Sequence, residues 1–162
     1  MLQLLLLVLQ LALAVYITYL CLAFVTGAPF VPSTRPVAEK MVELAQLRKG
    51  QVVYDLGSGD GRLLKLAASE GAKAVGFEIN PFLVLYSTMR GAPARWKNFW
   101  KQGLSEADVV FVYLLPWKMG QLGNKIKREC TPGTLIVSNS FIFPDWKIVR
   151  QDTKLHIYVF RV

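Results

Sequence analysis

The chain is poor in the residues on which metal and nucleophile chemistry most often rest. It holds one histidine, His156, and two cysteines, Cys21 and Cys130. One imidazole and two thiols far apart in the chain offer no metal-ligand cluster and no disulfide framework. They suggest no Ser-His-Asp arrangement either, and His156 reads as a structural or surface residue. Carboxylates are also scarce, 11 Asp and Glu against 19 Lys and Arg, for a net charge of +8. From Leu2 to Val25 charge is missing altogether, and Gln3 and Gln10 are the strongly polar side chains of that run.

What the run does contain is Leu, Ala, Val and aromatics over about 24 residues. Roughly 20 apolar residues span a bilayer core as a helix. A signal-peptide core is shorter, about 7–15 residues, and follows a basic start that this chain lacks. The expectation is an uncleaved transmembrane anchor over residues 1–27. Arg35, Lys40, Arg48 and Lys49 follow it, which by the positive-inside rule puts the rest of the chain on the cytoplasmic side. The positive charge outside the anchor suits anionic lipid headgroups, nucleic acid or an acidic protein face. Headgroups are favoured, since each basic residue near a bilayer surface contributes about 1 kcal/mol. No basic run is interleaved with aromatics, so nucleic acid is not expected as a partner.

Three prolines mark residues 28–36 as an extended linker, and residues 37–162 form the predicted catalytic domain. Val37, Met41, Leu44, Ala45 and Leu47 repeat at helical spacing up to Gly50. Strands and helices then alternate: strand Gln51–Leu56, helix Arg62–Ser69, strand Lys73–Glu78, helix Phe82–Met89. A weak strand Arg95–Trp100 follows, then strand Asp108–Leu114, helix Lys118–Arg128 and strand Thr134–Ser140. Trp146–Arg150 and Lys154–Arg161 read as an antiparallel hairpin around Gln151-Asp152-Thr153. The pattern predicts an α/β fold, a mostly parallel Rossmann-like sheet with helices on both faces and a C-terminal antiparallel hairpin.

Asp55-Leu56-Gly57-Ser58-Gly59-Asp60-Gly61 follows a buried strand and opens a helix. Glycines there permit a sharp turn and close approach of a ligand to the main chain. A dinucleotide fingerprint needs Gly-x-Gly-x-x-Gly, and Arg62 stands at its third glycine. Asp55 and Asp60 would repel a diphosphate but suit a cation. S-adenosylmethionine, which carries a sulfonium and an ammonium and no phosphate, fits these requirements. Glu78 ends the second strand, ahead of Ile79-Asn80-Pro81, where a carboxylate can accept both ribose hydroxyls. At the third strand end Asn98 can bond an adenine edge while Phe99 or Trp100 covers the ring; a polar strand end beside core aromatics is the other reading. Leu114-Leu115-Pro116-Trp117 lies past the fourth strand, where the methyl group would face. It lacks the Asn-Pro-Pro-Tyr tetrapeptide of many amino-methyltransferases. Asn139, Ser140 and Phe141 line the opposite wall or cap the strand. Asp60 and Asp145 are the carboxylates available to hold a substrate amine.

Together the apolar start, Pro29-Phe-Val-Pro32, Asp55-Leu-Gly-Ser-Gly-Asp-Gly-Arg62 and Gly76-Phe-Glu-Ile-Asn-Pro81 resemble the membrane-anchored seven-β-strand protein lysine methyltransferases. Asn98-Phe-Trp-Lys101 and Pro144-Asp-Trp146 extend the resemblance over most of the chain. Eukaryotic members modify the ATP synthase c-subunit and the adenine nucleotide translocase of mitochondria. The resemblance implies a class I S-adenosylmethionine-dependent methyltransferase acting on a lysine of a membrane or membrane-proximal protein. Two features depart from the family. Asn98 stands where an acidic residue is usual, and the stretch between strands five and six is short. A methyltransferase of a lipid or small hydrophobic metabolite, and a cofactor-binding module without catalysis, are the competing readings.

Overall fold

Alternation of apolar strands and amphipathic helices produces the predicted α/β architecture. The structure is a computed structural model that describes residues 1–26 and 30–162, with side chains for 1–18, 21 and 30–162. Gly27, Ala28 and Pro29, where the expected anchor meets the expected linker, lie outside the described residues. The chain divides into two compact units, Met1–Val31 and Pro32–Val162.

The first unit contains α1 (Leu2–Thr26). Leu and Ala are strong helix formers, and the segment contains neither Gly nor Pro. A helix thus forms over the expected span. Among the described residues no helix is long and apolar enough to cross a membrane, so the bilayer-crossing part of the expectation rests on the sequence.

The second unit opens with α2 (Arg35–Ala45), followed by β1 (Val52–Leu56), α3 (Arg62–Ser69), β2 (Lys73–Glu78), α4 (Pro81–Met89) and β3 (Ala94–Trp96). A 3-10 turn, Phe99–Lys101, leads to β4 (Val109–Val112), α5 (Pro116–Glu129), β5 (Leu135–Asn139), β6 (Ile148–Asp152) and β7 (Ile157–Arg161). The strands form one seven-stranded sheet in the order β3-β2-β1-β4-β5-β7-β6. Strands β1 to β5 are parallel, and β7 runs antiparallel to both β5 and β6. The order reverses between β1 and β4, and in open α/β sheets the crevice for a ligand lies outside the carboxyl ends at such a switch point.

The core explains why the sheet closes. Val53, Val109, Phe111, Val137 and Val159 are fully buried, as continuous apolar strands covered on both faces should be. Helix α2 buries Ala38, Met41, Val42 and Ala45, spaced at i, i+3, i+4 and i+7. Leu64 and Ala67 of α3 complete the same cluster. Asn80 starts α4 by accepting from the N–H groups of Phe82 (2.9 Å) and Leu83 (3.4 Å), with Pro81 in the first turn.

Several boundaries differ from expectation. Helix α2 begins at Arg35 rather than Val37, because Pro36 sits in its first turn instead of in the linker. The third strand stops at Trp96, because Asn98 turns the chain by capping the Phe99–Lys101 turn. The hairpin turn lies after Asp152 rather than around it: Asp152 Oδ1 accepts from the N–H groups of Lys154 (3.0 Å) and Leu155 (2.9 Å). The pair forms the antiparallel edge of the sheet, with β7 beside β5 and β6 outermost.

Gly76 in β2 is fixed by packing. A Cβ there would lie 2.3 Å from Ser58 Oγ, 2.4 Å from Ser58 Cβ and 2.7 Å from Leu64 Cδ1. Gly76→Ala should therefore destabilise the chain by about 1–3 kcal/mol, as overpacking does. A lower urea midpoint at unchanged slope is the expected result, and an unmoved midpoint would show that the loop has room to yield.

Candidate active site

Strand β1 delivers Asp55 to the middle of the sheet, where β2 and β4 flank it on either side. The chain then turns through Gly57, Gly59 and Gly61 at φ values of +87°, +55° and +76°, conformations that residues with a Cβ rarely adopt. The N–H groups of Gly57 (2.9 Å) and Ser58 (3.3 Å) both donate to the Phe77 carbonyl, which fastens the turn to β2. The Gly59 N–H donates to Glu78 Oε2 at 3.0 Å, and the Asn80 N–H donates to Glu78 Oε1 at 2.8 Å. Both oxygens of Glu78 are thereby oriented, and each keeps a lone pair for a further donor. Ser58 Oγ is buried and has no hydrogen-bond partner.

The acidic residues divide into two environments. Asp55 is only 4% exposed. Burial, and after it the charges of Glu78 and Asp60, push its carboxyl from 3.8 up to about 8. Asp60 goes the opposite way. Arg62 grips it in bidentate fashion, Nε to Oδ1 at 2.9 Å and Nη2 to Oδ2 at 2.8 Å, and Arg90 stands 3.6 Å from Oδ2. Hydrogen bonds from Arg62 are the main reason why its carboxyl lies below the usual range.

A second network crosses the carboxyl ends of the strands. Arg62 Nη1 also donates to the Ser33 carbonyl. Asn139 Nδ2 donates to Ser33 Oγ at 3.0 Å, and Ser140 Oγ donates to Asn139 Oδ1 at 2.8 Å. Ser33 thus ties the glycine turn to the end of β5. Past β4, the Tyr113 ring stacks against Phe141 with centroids 6.4 Å apart.

The structure brings together Asp55, Gly57, Ser58, Gly59, Asp60, Gly61 and Glu78. Ile79 and Asn80 adjoin them; the Ile79 carbonyl accepts from Trp96 Nε1 at 3.0 Å. Leu114 is buried just past the end of β4. Asn98 is partly committed, since its Oδ1 accepts from the Trp100 N–H at 3.0 Å, and Phe99 is buried rather than presented as an open ring face. The two carboxylates expected to hold a substrate amine lie in different settings. Asp60 is held by Arg62, with Arg90 nearby. Asp145 is exposed in the loop after β5, at φ +60°, and no described contact joins it to the glycine turn. His156 lies in the β6–β7 turn, where its carbonyl accepts from the Ser140 N–H. Sequence reasoning missed the parts played by Ser33, Arg90 and Tyr113. A cavity of about 350 Å³ beside Gln51, Asp108 and Leu135 opens at the amino ends of the strands, away from these groups. Among the described residues no group of three or more His, Cys, Asp or Glu could hold a metal.

A parallel sheet with an inserted antiparallel strand, carrying a glycine turn and an acid at the ends of β1 and β2, is the Rossmann-like fold of class I methyltransferases. Residues 55–150 match the model of the ANTKMT methyltransferase domain, and the chain belongs to that family. It is 37% identical over 126 residues to the human lysine N-methyltransferase of the ATP synthase c-subunit, covering 73% of this chain and 54% of that protein. With a protein-lysine N-methyltransferase of Saccharolobus islandicus it shares 35% identity over 135 residues, 77% of this chain and 84% of that protein. The crystal structure of an RNA methyltransferase from Salinibacter ruber in complex with S-adenosyl-L-homocysteine superposes with a TM-score of 0.74. That comparison has 36% identity and covers 81% of this chain and 92% of that one. The chain spans about half the length of the vertebrate relatives it matches.

The raised carboxyl of Asp55 has a thermodynamic consequence. Between its ordinary value of 3.8 and about 8 the folded chain holds a proton that the unfolded chain releases. Stability from this group is full at low pH and is lost as pH rises toward about 8. The melting temperature of the ligand-free chain should fall over that window, and Asp55→Asn should flatten the fall. An identical slope in the variant would mean that Asp55 is ionised when folded.

Proposed function

We propose that this chain transfers a methyl group from S-adenosylmethionine to the amine of a lysine on a membrane or membrane-proximal protein. The buried Asp55 and Glu78 beneath the glycine turn carry the reading. Glu78 attracts a positively charged nucleoside and repels a diphosphate, and the protonated Asp55 can ionise against an arriving cation. The residues also fit the nucleoside in detail. Glu78 is held with one lone pair on each oxygen free for the ribose hydroxyls, and the orphaned Ser58 Oγ has a donor to offer. Gly57, Gly59, Gly61, Ile79 and Asn80 supply the main-chain wall, with Asn98 and the buried Phe99 at the adenine end and Leu114 on the methyl side. When bound, the cofactor supplies an electrophilic methyl group on a sulfonium.

Acceptor chemistry then falls to the walls of the site. A lysine must lose its proton before it attacks, and a site that excludes water lowers its pKa. Tyr113 and Phe141 are placed to provide that exclusion at the carboxyl ends of β4 and β5. No dedicated base is required of Asp60 or Asp145. Holding the amine about 3–3.5 Å from the methyl carbon is the main catalytic demand.

The choice of a protein lysine is supported by the names of the human and Saccharolobus relatives. Residues 2–25 are proposed as a single-pass anchor, with the catalytic unit on the cytoplasmic side, as the apolar run and the cations after it suggest. Confinement to a bilayer raises the effective concentration of neighbouring substrates. A nucleic-acid substrate is the second reading, favoured by the description of the Salinibacter structure as an RNA methyltransferase and by the net charge of +8.

Membranes incubated with the full chain and methyl-labelled cofactor should carry the label in protein, recovered as methyl-lysine on hydrolysis. Glu78→Ala removes two charge-assisted bonds to ribose and should lower kcat/KM by about a hundredfold or more. Label confined to RNA or to lipid would overturn the substrate assignment. Cofactor binding without transfer to any of the three would overturn the enzymatic one.

A further inference from the structure

Helix α4 is unusual among the helices of the second unit in burying a single residue, Ser87. Phe82, Leu85, Tyr86 and Met89 repeat at i, i+3, i+4 and i+7, so they share one face. That face is turned outward, with Phe82 79% and Met89 78% exposed. Trp96 of β3 extends it. The residue is 70% exposed, and the bond from its ring N–H to the Ile79 carbonyl places it beside the start of the helix. A contiguous apolar and aromatic patch of this kind marks an interaction surface.

The charges around it identify the partner. From Ile79 to Ser105 the chain has no Asp or Glu, and its charged residues are Arg90, Arg95, Lys97 and Lys101. Arg95 and Lys97 flank Trp96 and are exposed. Arg90 lies over the Tyr86 ring, 5.2 Å from its centroid. Helix α4 itself carries no charge, so its exposed apolar face and the cations of the following segment together make a surface suited to an anionic bilayer. A second copy of this chain, docked by the same face, would bring like charges together.

We propose that the α4–β3 edge rests on the surface of an anionic bilayer, with Phe82, Leu85, Met89 and Trp96 at the boundary between headgroups and acyl chains and Arg95 and Lys97 at the headgroups. This uses neither the cofactor nor α1. Since α4 starts directly after Glu78 and Asn80, the contact would hold the ribose end of the candidate site at the membrane surface. A transferred methyl group would then reach acceptors just outside the headgroups.

The test uses the full chain with Cys21→Ala, Cys130→Ala and Met89→Cys, labelled at position 89 with an environment-sensitive fluorophore. Vesicles of phosphatidylcholine, with or without phosphatidylglycerol, carry a quencher on their acyl chains. Attachment through α1 alone would treat the two lipids alike. The proposal predicts a blue shift and quenching that strengthen with phosphatidylglycerol. Arg95→Glu with Lys97→Glu should weaken the anionic component at least about tenfold. A label at Lys154→Cys, in the β6–β7 turn, should remain in water throughout. Emission at position 89 that ignores lipid would overturn the proposal. So would emission that follows protein concentration at fixed lipid, which would assign the face to a second copy. Calorimetric titration of the same samples with S-adenosylmethionine reads the cofactor site separately, so either idea can fail alone.

Discussion

Burying a carboxyl in the centre of a sheet is unfavourable unless a proton or a cation compensates it, and the second unit is organised around that constraint. Asp55 is carried inward by β1, the strand flanked by β2 and β4, and its neighbours add negative charge through Glu78 and Asp60. The ligand-free chain answers with a raised carboxyl pKa. A cationic ligand answers better, because it allows the acid to ionise in place. The glycine turn, its bonds to the Phe77 carbonyl and the missing side chain at Gly76 bring the main chain close enough to form that pocket.

The second acid of the turn serves the scaffold instead. Asp60 is held by Arg62 and Arg90, and Arg62 reaches on to Ser33. Ser33 in turn is bonded by Asn139 at the far side of the switch point. The segment before α2 thus crosses the carboxyl ends of the strands and closes one side of the site. Five residues apart, two aspartates take opposite tasks because one is buried, with carboxylates nearby, and the other is gripped by a guanidinium.

Much of this architecture was legible in the sequence. Val-rich runs, Asn80-Pro81 and the glycine turn are local signals, and each produced an element close to its expected place. The terminal hairpin was legible as an antiparallel edge, but the order of its strands, β7 inside and β6 outermost, was not, because strand order depends on long-range pairing that no local pattern encodes. The third strand was overextended, because Asn98 reads as a strand end until its side chain is seen capping the next turn. For the site, Asp55 and Glu78 stood out by spacing. The arginine clamp on Asp60 did not: Arg62 is adjacent in sequence, but Arg90 arrives from the end of α4. Ser33 lacked any signal, since a serine in a proline-rich stretch is ordinary loop composition.

The charge argument can be measured directly. Calorimetric titration of the full chain with S-adenosylmethionine near pH 7, in buffers of different ionisation enthalpy, reports affinity and proton exchange together. Ionisation of Asp55 against an arriving cation predicts release of a proton on binding and no detectable affinity for NAD. Binding of NAD at least as tight as that of S-adenosylmethionine, or cofactor binding with no proton released, would contradict the account.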